Sequence, residues 1–217
     1  KWASRFWAGL PNKTEKMPIY TCFIQHVVNS IKENGKGAIV VPTGFITAKS
    51  GIEKKILQKI VDEHIVWGVI SMPSNVFANT GTNVSVLFFD KTTGRTDDDK
   101  VILIDASKLG TEGKDANALK KTFLSADDIE LMVSTFRNKN VVDDFSVAVS
   151  FKEIKEKNYS LSAGQYFDIK IEYVDITAEQ FEAEINEFKA TLKAQFEESH
   201  KLEEEIEKQF ELLRFNK

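Results

Sequence analysis

The segment between residues 71 and 84 combines one large aromatic side chain with several small polar ones. Phe77 is the aromatic, and the polar residues after it are Asn79, Thr80, Thr82 and Asn83. Loops of this composition between the strands of an α/β protein commonly carry ligand-binding side chains. The amides and hydroxyls could hydrogen-bond a ligand, although the ordinary polarity of a loop explains them equally well. Phe77 could offer a flat face to a ligand or anchor the loop in the core.

Cysteine and histidine usage restricts the remaining chemistry. Cys22 is the single cysteine, which excludes a disulfide or a thiolate metal cluster within the chain and is typical of a reducing cytoplasm. The three histidines, His26, His64 and His200, are far apart and form no pair with the spacing of metal ligands. The sequence therefore predicts no metal site and a cytoplasmic location.

The formal charge of −4 is unevenly distributed along the chain. Residues 178–217 contain eleven glutamates against six lysines and arginines, a net charge of −5, so the remainder carries about +1. This balance argues against a chain that grips DNA alone through a broad basic face, but it allows a subunit of a larger nucleic-acid machine. Because no apolar run approaches the ~20 residues of a membrane span, no membrane partner is predicted.

Periodicity through residue 105 predicts the elements that would position the loop. Apolar residues spaced as in a helix follow Pro18, with Gly35 as the expected left-handed cap, and a second helix is predicted at about 51–62. Strands are predicted at 38–41 and 65–70, and the second does not alternate, which indicates a sheet covered on both faces. Strands 84–89 and 101–104 flank a solvated turn, which predicts an antiparallel hairpin at the sheet edge.

The second half of the chain is more polar. Residues 107–121 are predicted to form a loop or linker, and Ser125 and Asp128 form a capping box that starts a short helix ending near Phe136. Residues 141–173 indicate short strands and turns.

A long helix is predicted to follow a second capping box, Thr177 to Gln180. From 178 to 216 it would be roughly 58 Å long. It could fold back on its own domain or, as its length favours, form a coiled-coil arm that packs on another subunit. Its apolar heptad stripe consists of Phe181, Ile185, Phe188, Leu192, Leu202, Ile206 and Leu213.

Four segments together resemble a known family. They are R-F-W-A-G-L-P (5–11), residues 23–45 with G-K-G-A-I-V-V-P-T-G-F, residues 69–91 with S-M-P-S-N-V-F-A-N-T-G-T-N-V-S-V-L-F-F-D-K, and N-Y-S-L-S-A-G-Q-Y-F (158–167). In this order and spacing, and with the terminal long helix, they resemble the modification subunit of type I restriction-modification systems. These subunits are adenine-N6 DNA methyltransferases that use S-adenosylmethionine.

The resemblance implies an α/β fold made of the distal half of a Rossmann-like methyltransferase sheet. Residues 1–122 would be the C-terminal half of the catalytic domain, 123–176 a helical and irregular connecting region, and 177–217 the long amphipathic helix. The family's F-x-G-x-G cofactor loop and its catalytic N-P-P-[FY] tetrapeptide do not occur here. The chain is therefore expected to be a fragment that begins just after the tetrapeptide, holds no catalytic or cofactor-binding residues, and is inactive alone.

Enzymes that modify a base amine must flip the base out of the duplex and hold it in a pocket. The resemblance places Phe77 where related adenine methyltransferases stack the target base, with Asn79, Thr80, Thr82 and Asn83 as candidate contacts to base or backbone. It also implies DNA as a partner, the specificity subunit as the partner of the long helix, and the restriction subunit as a further candidate. Two alternatives stay open: an inert interaction module that docks through 177–217, and a Rossmann-like methyltransferase acting on RNA or protein.

Overall fold

A computed structural model describes residues 3–10, 18–77, 81–116, 118–168 and 177–212. The chain divides into two units, residues 1–168 and 169–217. In the first unit the helices are α1 (Tyr20–Ser30), α2 (Gly51–Asp62), α3 (Ala126–Asn138) and α4 (Phe151–Glu156), with short 3-10 turns at Ala3–Arg5, Thr43–Thr47 and Ala163–Gln165. The second unit contains α5 (Ala178–Leu212).

Within the described residues, seven strands form two sheets. A five-stranded sheet has the order β1-β3-β2-β4-β7, and β5 and β6 form a separate two-stranded sheet. The strands are β1 (Lys36–Pro42), β2 (Val66–Ser71), β3 (Val84–Asp90), β4 (Lys100–Asp105), β5 (Thr111–Lys114), β6 (Lys120–Phe123) and β7 (Ser146–Ser150). The last strand of the larger sheet, β7, lies within the residues that the sequence assigns to a connecting region.

The predicted hairpin between the strands at 84–89 and 101–104 is wrong. β3 lies between β1 and β2 and is antiparallel to both, whereas β4 pairs with β2 in parallel on the other side. The polar connection at 91–99 therefore carries the chain past β2 rather than turning it back beside β3. A polar, Gly-containing segment looks the same in a hairpin as in a connection of this length, because its composition reflects solvent exposure alone.

Both faces of the larger sheet are covered, as the non-alternating run at 65–70 predicted. Val66 and Val69 of β2 belong to one apolar cluster, which also takes in residues of α1, α2 and α4. Ile70, the residue after Val69, belongs to a second cluster with Phe136 of α3. A register irregularity between Val66 and Gly68 keeps Val66 and Val69 on the same face. Beyond it successive side chains point to opposite faces, so a strand covered on both faces is apolar throughout.

Three further predictions need correction. The left-handed residue after α1 is Asn34, with φ 57°, and not Gly35. The segment 107–121, predicted as a loop, contains β5 and the start of β6. The segment 141–173 contains the helix α4 as well as a strand, and its capping box joins Ser150 to Glu153. The β5–β6 pairing is set by a partner strand, whereas the S-x-x-E capping pattern that starts α4 is a local signal that the sequence reading overlooked.

Both predicted capping boxes are confirmed. The Ser125 hydroxyl accepts a hydrogen bond from the N–H of Asp128 at the start of α3. At the start of α5, the N–H of Gln180 donates to the Thr177 hydroxyl at 3.2 Å, and the N–H of Thr177 donates to the Gln180 side chain at 3.0 Å.

The long C-terminal helix is also confirmed. α5 spans 35 residues, a length of about 52 Å. Five of the predicted stripe residues are between 51% and 69% exposed: Phe181, Phe188, Leu192, Leu202 and Ile206. Ile185 is half-buried, and Leu213 lies outside the described residues. None of the described helices is both long and apolar enough to span a membrane.

Candidate functional site: the Phe77 loop

The loop from 72 to 83 leaves the sheet where β2 ends and returns where β3 begins. The N–H of Met72 donates to the carbonyl of Val84 at 2.9 Å, which closes the base of the loop. The N–H of Thr43, directly after β1, donates to the carbonyl of Asn83 at 3.0 Å. The carboxyl ends of β1 and β2 therefore both support the loop, as expected for a ligand site of an α/β sheet.

Three hydroxyls lie beneath the loop. Thr43 Oγ1 is 3.1 Å from Ser85 Oγ, and Ser85 Oγ is 3.4 Å from Ser71 Oγ. Ser85 is fully buried and pairs with both Val41 and Ser71 in the sheet register. The hydroxyl chain thus joins the ends of β1, β3 and β2 and fixes the platform from which the loop projects.

Phe77 is partly exposed at this end of the sheet. Its side chain is 40% exposed, so the ring does not anchor the loop in the core. Pro73, earlier in the same loop, is buried instead. Asn75 has a left-handed backbone with φ 55°, a conformation that asparagine tolerates better than most residues and that reverses the chain just before Phe77.

A second contact holds the loop from its other side. The N–H of Thr122, in β6, donates to the carbonyl of Asn75 at 3.1 Å. The small sheet of β5 and β6 therefore braces the segment that presents Phe77. Sequence reasoning missed this brace, and the only available signal was the pair of short polar runs on either side of residues 115–119.

The other predicted contact residues are only partly described. Thr82 and Asn83 are exposed at the return of the loop, whereas Asn79 and Thr80 lie outside the described residues. The described residues of the loop, 72–77 and 81–83, include no titratable side chain. An exposed ring above a set of hydroxyls can hold a flat ligand, but it supplies no acid or base. The geometry supports binding rather than proton transfer.

A polar pocket of about 450 Å³ lies at the opposite end of the sheet, near the end of β3. Arg95 lines it, donates to the carbonyl of His64 at 2.8 Å and lies 4.9 Å from the centroid of the Phe151 ring. Burial lowers the pKa of Arg95. His64 Nε2 is 2.8 Å from Asp97 Oδ1. Because these groups are bound to one another, we interpret them as structural contacts that fasten the connection between β3 and β4.

The described residues do not fit S-adenosylmethionine. A methyl-donor loop of the kind the family uses needs glycines closely spaced between a strand and a helix. Among the described strand-to-helix connections only the one from β1 to α2 contains a glycine, Gly44, and the next glycine, Gly51, is the first residue of α2, seven positions later. The described residues likewise contain no group of His, Cys, Asp and Glu side chains that could hold a metal ion. We derive no step through the cofactor from this chain.

Sequence comparison identifies the relatives of the chain. The family model described as N-6 DNA Methylase matches residues 1–173. A type I restriction enzyme methylase subunit of Mycoplasma pneumoniae, MpnII, is 30% identical over 165 residues, which are 76% of this chain and 29% of the relative. The HindI methylase subunit of Haemophilus influenzae is 27% identical over 198 residues, 86% of this chain and 42% of the relative. The chain thus spans well under half the length of these relatives.

Solved structures agree with this assignment. The type I restriction-modification methyltransferase subunit from Streptococcus thermophilus superposes with a TM-score of 0.61 at 29% identity and covers 70% of this chain and 31% of its own. A second structure is described as the structural basis of complex assembly and conformational transition in the type I system, and its match covers 95% of this chain and 44% of that chain. At 18% identity and a TM-score of 0.52, this match supports the fold alone. With the family match extending over residues 1–173, the chain belongs to the N-6 DNA methylase family.

Proposed function

We propose that this chain forms the target-base side of a site-specific DNA adenine-N6 methyltransferase of a type I restriction-modification system. The single observation that carries the proposal is the exposed Phe77 ring on a loop held at the carboxyl ends of β1 and β2. The methyl donor, S-adenosylmethionine, would be bound by the part of the longer relatives that this chain does not match. By itself the chain would be inactive.

Stacking explains why an exposed aromatic ring is useful at this position. An adenine amine inside a duplex is out of reach, so the base must be extruded at a cost of a few kcal/mol. A base stacked on an aromatic side chain recovers about 1–3 kcal/mol. Phe77, exposed but fixed by the bracing of its loop, would provide that face, and Thr82 and Asn83 would be the candidates to hydrogen-bond the base or its backbone.

The free edge of β1 supports the proposal that the sheet is part of a larger Rossmann-like one. Within the described residues β1 pairs only with β3. Val40, in the middle of β1, is 44% exposed. An unpaired strand edge with exposed apolar side chains is a place where further strands can add. We infer that strands of the donor-binding half pair there.

We propose that α5 is an assembly arm that packs against the specificity subunit, the polypeptide that would read the DNA sequence. Its apolar stripe is exposed along most of its described length, and glutamates predominate on the rest of its surface. A partner helix with an apolar seam and basic flanks would satisfy both features. The alternative, a catalytically inert scaffold that docks through α5, shares this arm but assigns no role to Phe77.

One experiment distinguishes the methyltransferase role from the inert scaffold. It uses the full-length modification subunit assembled with its specificity subunit. Methyl transfer to adenine N6 is measured on a duplex with adenine at the target position, and base extrusion is measured on a second duplex that has fluorescent 2-aminopurine there. Phe77→Ala should reduce the affinity for the extruded base by roughly 5- to 100-fold. Phe77→Trp keeps a stacking surface and should retain most of the activity.

Val76→Ala serves as the matched control, because it shortens the neighbouring half-buried side chain without removing the ring. Methylation and base extrusion that are unchanged in Phe77→Ala would refute the stacking role. A wild-type assembly that transfers no methyl group to adenine would favour the scaffold.

A further inference from the structure

The small sheet of β5 and β6 has two unlike faces. Alternation along β6 places Lys121 and Phe123 on one face and Lys120 and Thr122 on the other. On the second face Thr122 is buried, and Lys120 pairs with Glu112 at 3.0 Å. Only Thr122 packs inwards on that face, because Lys120 and Glu112 pair with each other and remain 61% exposed. The first face has a different composition.

An aromatic ring and a cation lie side by side on the first face. Phe123 is 47% exposed, and Lys121 Nζ lies 5.4 Å from the centroid of its ring. Gly113, opposite Lys121 in the register, leaves room for the ring, because a Cβ there would lie 3.2 Å from Phe123 Cε2. The absent side chain lets the ring lie close against β5 while the residue stays 47% exposed.

The segment is also positively charged within an acidic chain. Residues 107–124 contain Lys108, Lys114, Lys120 and Lys121 against Glu112 and Asp115, a net charge of +2, whereas the whole chain carries −4. A stacking ring beside a lysine is the combination with which proteins bind nucleic-acid strands without sequence preference. A polyanion is therefore the favoured occupant of the hairpin, and Lys121 beside the exposed Phe123 ring is the place where charge and stacking surface coincide.

The backbone hydrogen bond between Thr122 and Asn75 connects the hairpin to the Phe77 loop. Covalent geometry and that 3.1 Å contact keep the Cα atoms of Phe77 and Phe123 within ~20 Å of each other. A strand whose base is held at Phe77 would have its neighbouring nucleotides within reach of the hairpin.

We propose that the face of the β5–β6 hairpin that carries the half-buried Lys121 and the exposed Phe123 binds the DNA strand that flanks the target base. Lys121 would contact a phosphate, and Phe123 would stack on a flanking base or sugar. This inference rests on the proposed function. It adds a second contact region, which would hold the backbone while the Phe77 loop holds the base.

The test measures DNA affinity of the full-length assembly with its specificity subunit over a series of salt concentrations. Lys121→Gln should lower the slope of log affinity against log salt by about one, because one phosphate contact is lost. Phe123→Ala should weaken binding roughly 5- to 30-fold, and Phe123→Trp should restore it. Lys120→Gln is the matched control: it removes the same charge from the opposite face and should leave the slope unchanged.

Wild-type affinity and slope in both Lys121→Gln and Phe123→Ala would overturn the inference. Loss of the specificity subunit from either variant would also overturn it, because the face would then be a protein contact. An assembly that binds DNA but methylates no adenine would refute the proposed function, and the binding series would still decide on the hairpin. An assembly that binds no DNA would refute both.

Discussion

Thr43 and Ser85 join the ends of two strands through their hydroxyls, whose oxygens are 3.1 Å apart beneath the Phe77 loop. Ser85 is fully buried, so its hydroxyl depends on this contact and on the one to Ser71 at 3.4 Å. Without these partners a buried hydroxyl would be costly. The pair therefore stabilises the base of the candidate site as well as the sheet.

Replacing Ser85 tests this contribution. Ser85→Ala should lower the free energy of unfolding by about 1 kcal/mol, because Thr43 and Ser71 each lose a partner. Thr43→Val should have an effect of similar size, and the double variant should cost less than the two changes added together. Chemical denaturation measures all three. Ser30→Ala, at an exposed helical serine, is the control, and strict additivity would contradict the coupling.

Gly68 provides a prediction about packing between the sheet and α3. A Cβ at this position would lie 2.6 Å from Ile102 Cγ2, 2.6 Å from Phe136 Cε2 and 2.8 Å from the carbonyl oxygen of Ile102. Because one of these atoms is backbone, side-chain movement cannot relieve the overlap. Gly68→Ala should destabilise the chain by about 2 kcal/mol or more. Gly44→Ala, with no heavy atom within 4 Å of its Cβ, should change the melting temperature little.

Glu153 should contribute a pH-dependent stability. The Ser150 hydroxyl, the Ser150 N–H and Lys100 lower the pKa of Glu153 from 4.5 to about 2. Since the pKa falls on folding, the stabilisation is present above the unfolded value and is lost as the pH decreases from 4.5 towards 2. Solvent screening of this half-exposed carboxylate limits the contribution to about 1 kcal/mol.

Acid titration of the unfolding free energy measures this effect. Glu153→Gln should remove the part of the decline that occurs between those pH values, and Ser150→Ala should reduce it by removing the hydroxyl donor. If the unfolding free energies of both variants declined with pH in parallel with the wild type, Glu153 would be excluded as the source of that decline.

The role of the apolar stripe of α5 as a contact surface can be tested with one pair of substitutions. Leu192→Glu places a charge on the apolar stripe, whereas Ala190→Glu places the same charge about 200° away around the helix. The first should weaken association with the specificity subunit at least ~30-fold, because the charge would be buried without a partner. The second should leave association intact. Equal effects on co-purification would show that the stripe is not the contact surface.

Local pattern predicted most elements correctly. The bounds of α2, the two capping boxes at Ser125 and Thr177, and the sheet covered on both faces follow from side-chain period and capping chemistry, which act over a few residues. The position of Phe77 on a loop between β2 and β3 was likewise predicted, because an aromatic within a run of Pro, Asn and Gly cannot continue either strand.

The sequence by itself therefore determined most of the elements, the apolar stripe of α5 and the family resemblance. Only the tertiary structure decided that β3 lies between β1 and β2, that Phe77 is exposed, and that the β5–β6 hairpin braces its loop through Thr122 and Asn75. The physical reason is the separation along the sequence of the residues that interact. Helix period and caps are fixed by neighbours a few residues away, whereas strand order and the brace depend on hydrogen bonds between residues as far apart as 75 and 122.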